Sequence, residues 1–197
     1  MNNRCAIRLT GSGGQGVILI SVILAEAAVL NGDKAVQSQA YGPEARGGMC
    51  QADTIISSDD IWFSKPEKPD VLLALTQASM NKFSKETTPQ SVIIADTGLS
   101  IPGNCAASKI YRIPILETAS KVVGKPMTAN IVAVGAINTI LGLFPNDILL
   151  EAVKMHIPAG TEELNMKAFE EGKRIAEQAK IVFTSAYMTP ERMEGLW

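Results

Sequence analysis

The sequence predicts one α/β domain, a mostly parallel sheet flanked by helices. Three observations point to it. An apolar strand runs through a glycine-rich turn into an apolar helix, two short runs are wholly apolar, and helical patterns dominate the second half. With 197 residues, 46% apolar and 19% charged, the chain can build one core and is too apolar to be disordered.

Residues 5–10 form the opening strand, with Ile7 and Leu9 beside a mixed partner face. Gly11-Ser12-Gly13-Gly14-Gln15-Gly16 breaks it. The stretch from Val17 to Leu30 is rich in Leu and Ala, and at that length it reads as a buried helix. Asn31-Gly32-Asp33 ends the helix, and residues 35–39 make a short second strand. This succession is the first half of a parallel sheet and makes the fold Rossmann-like. Tyr41-Gly42-Pro43-Glu44-Ala45-Arg46-Gly47-Gly48 is a loop. Residues 50–57 alternate through Ala52, Thr54 and Ile56, as a strand with one wet face does.

Ser58-Asp59-Asp60 turns the chain, and Ile61-Trp62-Phe63 reads as a hairpin partner. Residues 71–75 and 91–96 are central parallel strands, with a polar helix from Thr76 to about Phe83 between them. Residues 109–113 form an edge strand. Helices follow over 116–123 and 128–141, the latter with Ala129, Ala133, Gly135 and Ala136 for close packing. Further helices run over 146–156, after Pro145, and over 165–179. No repeat or long linker divides the chain, so residues 1–180 form the domain. Residues 181–197 are a tail made apolar by Phe183, Tyr187, Leu196 and Trp197.

Composition excludes several functions. The net charge is -2, so no basic excess supports nucleic-acid binding. One histidine, His156, rules out a multi-imidazole metal site within one chain, and its place near a helix end suits packing or a helix-end charge. Cys5, Cys50 and Cys105 lie far apart without a CxxC pair, which excludes a zinc ribbon or ferredoxin-type cluster and fits reduced, buried thiols. The apolar run from Val17 to Leu30 contains Ser21 and Glu26 and falls short of the about 20 residues a membrane span needs. Arg4, Arg8 and Ala25-Glu26-Ala27 imitate a secretory leader, but cleavage there would remove the strand, turn and helix that read as one unit. The expected location is the cytoplasm, away from membranes.

Gly11, Gly13 and Gly16 satisfy G-x-G-x-x-G between a strand and a helix. Glycines let a ligand approach the backbone, and the N–H groups from about Gln15 to Ile18 favour an anion, such as a phosphate. A nicotinamide or flavin dinucleotide would also need an acidic residue at the end of the second strand. Residues 35–39 offer no carboxylate, and Asp33 precedes them. A turn needed only for packing, and a stand-alone small-ligand- or dinucleotide-binding α/β protein, remain alternatives. In the second cluster, Arg46 can grip a phosphate or carboxylate bidentately, Glu44 can fix Arg46, and Gly47-Gly48 leaves room for a close neighbour. A structural Glu44–Arg46 pair stiffening the loop is the other reading. The chain has no Ser-His-Asp elbow and no P-loop lysine.

Gly11-Ser12-Gly13-Gly14-Gln15-Gly16-Val17, Tyr41-Gly42-Pro43-Glu44-Ala45-Arg46-Gly47-Gly48, Ile56-Ser57 and Pro69-Asp70 together resemble the gamma subunits of the 2-oxoacid:ferredoxin oxidoreductases. Lys125-Pro126 with Asn130 and Gly135 resembles a later motif of that family, and the likeness runs roughly from Ile7 to Ala179. The length is similar to that of the 2-oxoglutarate-type subunits. The resemblance implies a complex that makes acyl-CoA and CO2 from a 2-oxoacid and CoA while reducing ferredoxin. It implies thiamine diphosphate and iron–sulfur clusters on partner subunits of alpha, beta and delta type, and a gamma module on the CoA side. The implied site is Gly11, Ser12, Gly13, Gly14, Gln15, Gly16, Tyr41, Glu44, Arg46 and Gly47, with no catalytic or metal-binding residue in this chain. The isolated chain is then expected to be inactive and, with its apolar tail, to self-associate as a two-fold dimer.

Overall fold

Seven strands form one sheet: β1 (Arg4–Ser12), β2 (Lys34–Tyr41), β3 (Met49–Ser57), β4 (Val71–Ala74), β5 (Val92–Asp96), β6 (Lys109–Ile113) and β7 (Lys180–Phe183). The computed structural model describes residues 4–41 and 48–183. The strand order is β2-β3-β1-β4-β5-β6-β7. β1, β4, β5 and β6 form a parallel centre, while β3 lies antiparallel to both β1 and β2, and β7 is antiparallel to β6. Five strands thus run one way and two the other, which is the mostly parallel α/β sheet that the sequence predicts.

The helices are α1 (Val17–Leu30), α2 (Gln77–Phe83), α3 (Ile115–Glu117), α4 (Ala129–Leu141), α5 (Asn146–His156) and α6 (Glu162–Glu177). They divide unequally between the faces. One face carries α1 and α3 to α6, packed on Ile7, Leu9, Ile56, Leu73, Ile94 and Ile113. The other is covered by α2 and loops, with Met80, Phe83, Cys105 and Ala107 packed on Leu72, Ile93, Ala95 and Ile110. α1 and α5 keep the boundaries read from sequence, because an unbroken apolar run and the Pro145-Asn146 start leave little choice.

Four local expectations give way. First, β2 is parallel in direction to β1 but does not pair with it, because β3 inserts between them. Second, β3 therefore has no wet face: every residue from Cys50 to Ser57 is buried, and the solvated strand is β2 at the edge. The polar residues that suggested a wet face are paired instead. Arg8 and Asp53 face each other across β1 and β3, both 2% exposed, with Arg8 Nε donating to Asp53 Oδ1 at 2.8 Å. Gln51 also donates to Asp53, and Arg8 reaches Glu86 and the Pro66 carbonyl.

Third, Ile61-Trp62-Phe63 is not a hairpin strand. It belongs to an irregular segment with Trp62 and Phe63 exposed, because β3 already has a neighbour on each side. Fourth, β6 is interior, since β7 covers it; the first three residues of the expected tail thus extend the sheet. Residues 184–197 lie outside the described residues. The helix expected over 116–123 begins a residue early as α3 and widens into a π-helical stretch over Thr118–Val123.

α4 is buried on all sides over residues 129–138 and is crossed closely by α6. The crossing depends on two glycines. A β-carbon on Gly135 would run into the Phe169 carbonyl, and one on Gly172 into the Val132 carbonyl, both far inside van der Waals contact. Backbone cannot move aside as a flexible side chain can. Gly172→Ala should therefore destabilise the fold by about 1–3 kcal/mol through overpacking, read as a lower urea midpoint with an unchanged slope. An unaltered midpoint would show that the helices separate without cost.

Candidate functional site

The glycine block lies where β1 meets α1, on the rim formed by the carboxyl ends of the parallel strands. Gly11 and Ser12 belong to β1, and Gly16 stands just before α1. The loop closes through its own atoms. The Ser12 N–H donates to Gln15 Oε1 at 2.7 Å, and the Gln15 N–H donates to the Ser12 carbonyl at 3.2 Å. The Gln15 amide N–H and carbonyl side chain are thus engaged in shaping the turn, which removes that N–H from the donors expected to be open. Gly11 has no room for a side chain, since a β-carbon there would meet Gln15 Oε1 at 2.5 Å and Val17 at 3.1 Å.

Gly14 and Gly16 adopt positive φ, 97° and 72°. Among the described residues their N–H groups have no partner, α1 has no side-chain cap, and its first turn holds no acidic residue. The amino end of α1 thus presents backbone donors and the positive end of its dipole. Among the described residues nothing lies within 4 Å of a β-carbon added at Gly14, while Gly16 packs against Asn130 at the start of α4, where an added β-carbon would meet Asn130 Nδ2 at 2.8 Å. This contact explains why the Asn130 stretch belongs with the glycine block.

The second cluster joins at its edges. Tyr41 ends β2 opposite Cys50, and the Gly13 N–H donates to the Gly48 carbonyl at 2.9 Å. The chain segment carrying Gly42, Glu44, Arg46 and Gly47 is therefore followed by Gly48 at the glycine turn, while Tyr41, just before it, lies one strand further out. Those four residues themselves lie outside the described residues. Cys50 sits opposite Gly11, and burial raises its thiol pKa, so it remains a neutral thiol at physiological pH. Burial also raises Cys105, and pushes Cys5 up to about 12 with help from the Asp70 charge. None of the three is an activated nucleophile. Among the described residues no group of His, Cys, Asp or Glu could hold a metal ion, and no helix is long and apolar enough to cross a membrane.

Sequence reasoning missed two features of this rim. Asp96, at the end of β5, accepts from the Leu116 and Gly98 N–H groups and so ties two loops together. Arg112, near the end of β6, holds the carbonyls of Thr97 and Leu99. A charged residue close to the end of a parallel strand was the available signal, since that is the ligand side of such sheets.

The fold and the glycine rim define an oxidoreductase module: the chain belongs to the pyruvate ferredoxin/flavodoxin oxidoreductase family, whose pattern it matches over residues 6–175. Among its relatives, the 2-oxoglutarate synthase subunit KorC of Methanocaldococcus jannaschii is 38% identical over 178 residues, covering 89% of this chain and 95% of that subunit. The keto/oxoacid ferredoxin oxidoreductase gamma subunit from Geobacter sulfurreducens superposes with a TM-score of 0.80 at 38% identity, over 90% of this chain and 99% of that one. The 2-oxoglutarate:ferredoxin oxidoreductase from Magnetococcus marinus, solved with 2-oxoglutarate, coenzyme A and succinyl-CoA, shares the fold with a TM-score of 0.80 at 21% identity. That likeness covers 91% of this chain and 32% of that one.

The two positive-φ glycines separate strain from packing. Alanine at Gly14 should cost only the left-handed strain, about 1–2 kcal/mol. Alanine at Gly16 should cost that plus the clash with Asn130, about 1–3 kcal/mol more. Equal losses of thermal stability for the two variants would remove Asn130 from the account of this loop.

Proposed function

We propose that this chain is the gamma-type subunit of a 2-oxoglutarate:ferredoxin oxidoreductase complex. The observation that carries the reading is the near full-length identity to KorC subunits, 38% over 95% of the Methanocaldococcus jannaschii subunit. The complex would convert 2-oxoglutarate, CoA and oxidised ferredoxin into succinyl-CoA, CO2 and reduced ferredoxin in the cytoplasm. Thiamine diphosphate and iron–sulfur clusters would sit on alpha-, beta- and delta-type partners. The donor chemistry of this chain supports that division, because its cysteines are scattered over β1, β3 and the loop before β6. The subunit's own part would be to help bind CoA and to organise the complex.

The glycine turn is the proposed contact with CoA. The Gly14 and Gly16 N–H groups and the open first turn of α1 suit one of its phosphates. Ser12 and Gln15 would shape the turn, and Tyr41, Glu44, Arg46 and Gly47 would share in binding CoA, with Arg46 as the side-chain partner of the phosphate. The C-terminal segment from residue 184 to Trp197 would join a protein interface, and the isolated subunit would be a homodimer.

Three experiments test this. The tagged chain, purified from its native host, should bring thiamine- and cluster-binding partners that reduce ferredoxin with 2-oxoglutarate and CoA; the chain alone should reduce nothing. In that complex, Gly13→Val should raise the KM for CoA about tenfold, or ~1.4 kcal/mol, with assembly intact. Purification without such partners would sink the complex, and an unchanged KM would remove the glycine turn as the CoA contact. For the dimer, sedimentation of the full-length chain at high micromolar concentration should give twice the monomer mass, and a monomer there would refute it.

A further inference from the structure

A second recess opens on the same rim, away from the glycine turn. It is a cleft of about 490 Å³ where Thr97 leaves β5 and Pro114 leaves β6, walled by α6 and the π-helical stretch over Thr118–Val123. Four cations line it, Arg112, Lys121, Arg174 and Lys180, against one carboxylate, Glu117.

The cations are available in different degrees. Lys121 is held by Glu117 at 2.8 Å, both exposed, and the exposed Arg174 by the half-buried Glu171 at 2.7 Å, each pair within one turn of helix. Such pairs contribute little and are readily exchanged for a ligand. Lys180 has no ion-pair partner among the described residues. Arg112 is different in kind. Its Nη2 is tied to the Thr97 and Leu99 carbonyls, which fixes the guanidinium at the cleft, while its Nε is shielded from solvent without a hydrogen-bond partner. A buried donor left unpaired is costly.

We propose that this cleft is a second anion site, distinct from the glycine turn, that takes a phosphate ester of nucleotide size. The volume suits a small-molecule site. A fixed guanidinium with mobile lysines suits a phosphate, and Val122 and Ile175 give the walls an apolar part for a ring. The location beyond the carboxyl ends of parallel strands is the ligand side of an open α/β sheet. From β1 to β6 there are three strand spacings, about 14 Å. An extended phosphate-bearing molecule held at the glycine turn could therefore reach the cleft, or a separate nucleotide could fill it.

ADP is the probe, titrated calorimetrically into the full-length chain. Saturable binding is expected in the wild type. It should weaken at least tenfold in the double variant Lys121→Gln/Lys180→Gln, whose two exposed positions leave the thermal midpoint in place. Gly13→Val should keep the wild-type ADP affinity. No saturable binding at millimolar ADP, an unaltered affinity in the lysine variant, or a loss caused by Gly13→Val alone would each overturn the second site. CoA titrated into the same proteins identifies the source. Weakening by the lysine variant and by Gly13→Val means one molecule spanning both places, and weakening by Gly13→Val alone means that a separate nucleotide uses the cleft. CoA indifferent to Gly13→Val would refute the glycine-turn reading while leaving the ADP result standing.

Discussion

The ion pair between Arg8 and Asp53 is the constraint on which the rest of the sheet depends. The two residues are direct cross-strand partners of β1 and β3, both inaccessible to water. A slip of one residue would turn each side chain to the opposite face, leaving one charge in the apolar layer under α1 and the other unpaired. Removing one member of such a pair costs about 3–5 kcal/mol, because the other charge stays buried. The remaining guanidinium nitrogens are also satisfied, by Glu86 and the Pro66 carbonyl, and the guanidinium lies 5.5 Å from the Phe83 ring centre. The pair thus fixes register on a face that has loops rather than a layer of helices to cover it.

That register sets the geometry of the functional rim. With Arg8 opposite Asp53, Gly11 falls opposite Cys50 and Ser12 opposite Met49. The next residue on each strand then meets its counterpart, giving the bond from the Gly13 N–H to the Gly48 carbonyl. Gly48, the last residue of the second block, is therefore held at the glycine turn. On the other side of the turn, Gly16 leaves the space that Asn130 fills, so α4 is docked against the start of α1. α4 in turn is held by the glycine crossing with α6. A chain of close backbone contacts runs from the buried ion pair to the far helix layer.

The rim offers backbone donors at the glycine turn and cations at the Arg112 cleft, whereas the cysteine thiols are raised by burial and held neutral. Backbone donors and cations of this kind favour an anion. Trp62 and Phe63, on the loop beyond β3, are exposed.

The sequence by itself determined the local elements and the place of the glycine turn. The apolar run of α1, the bare strands β4 and β5, and the Pro145-Asn146 start of α5 act over short range, so local pattern suffices to read them. The glycine spacing between a strand and a helix likewise placed the loop on the ligand side of the sheet. Only the tertiary structure decided the order of strands. An alternating pattern cannot distinguish a half-wet strand from an interior one whose polar residues are paired, and Asp53 has no local sign of its partner Arg8. The same limit hid the role of Asn130 and the gathering of Arg112, Lys121, Arg174 and Lys180 around one cleft. The four cations come from two stretches, 112–121 and 174–180, that meet only where β6, the π-helical stretch, α6 and β7 pack together, because close packing and charge pairing act through space.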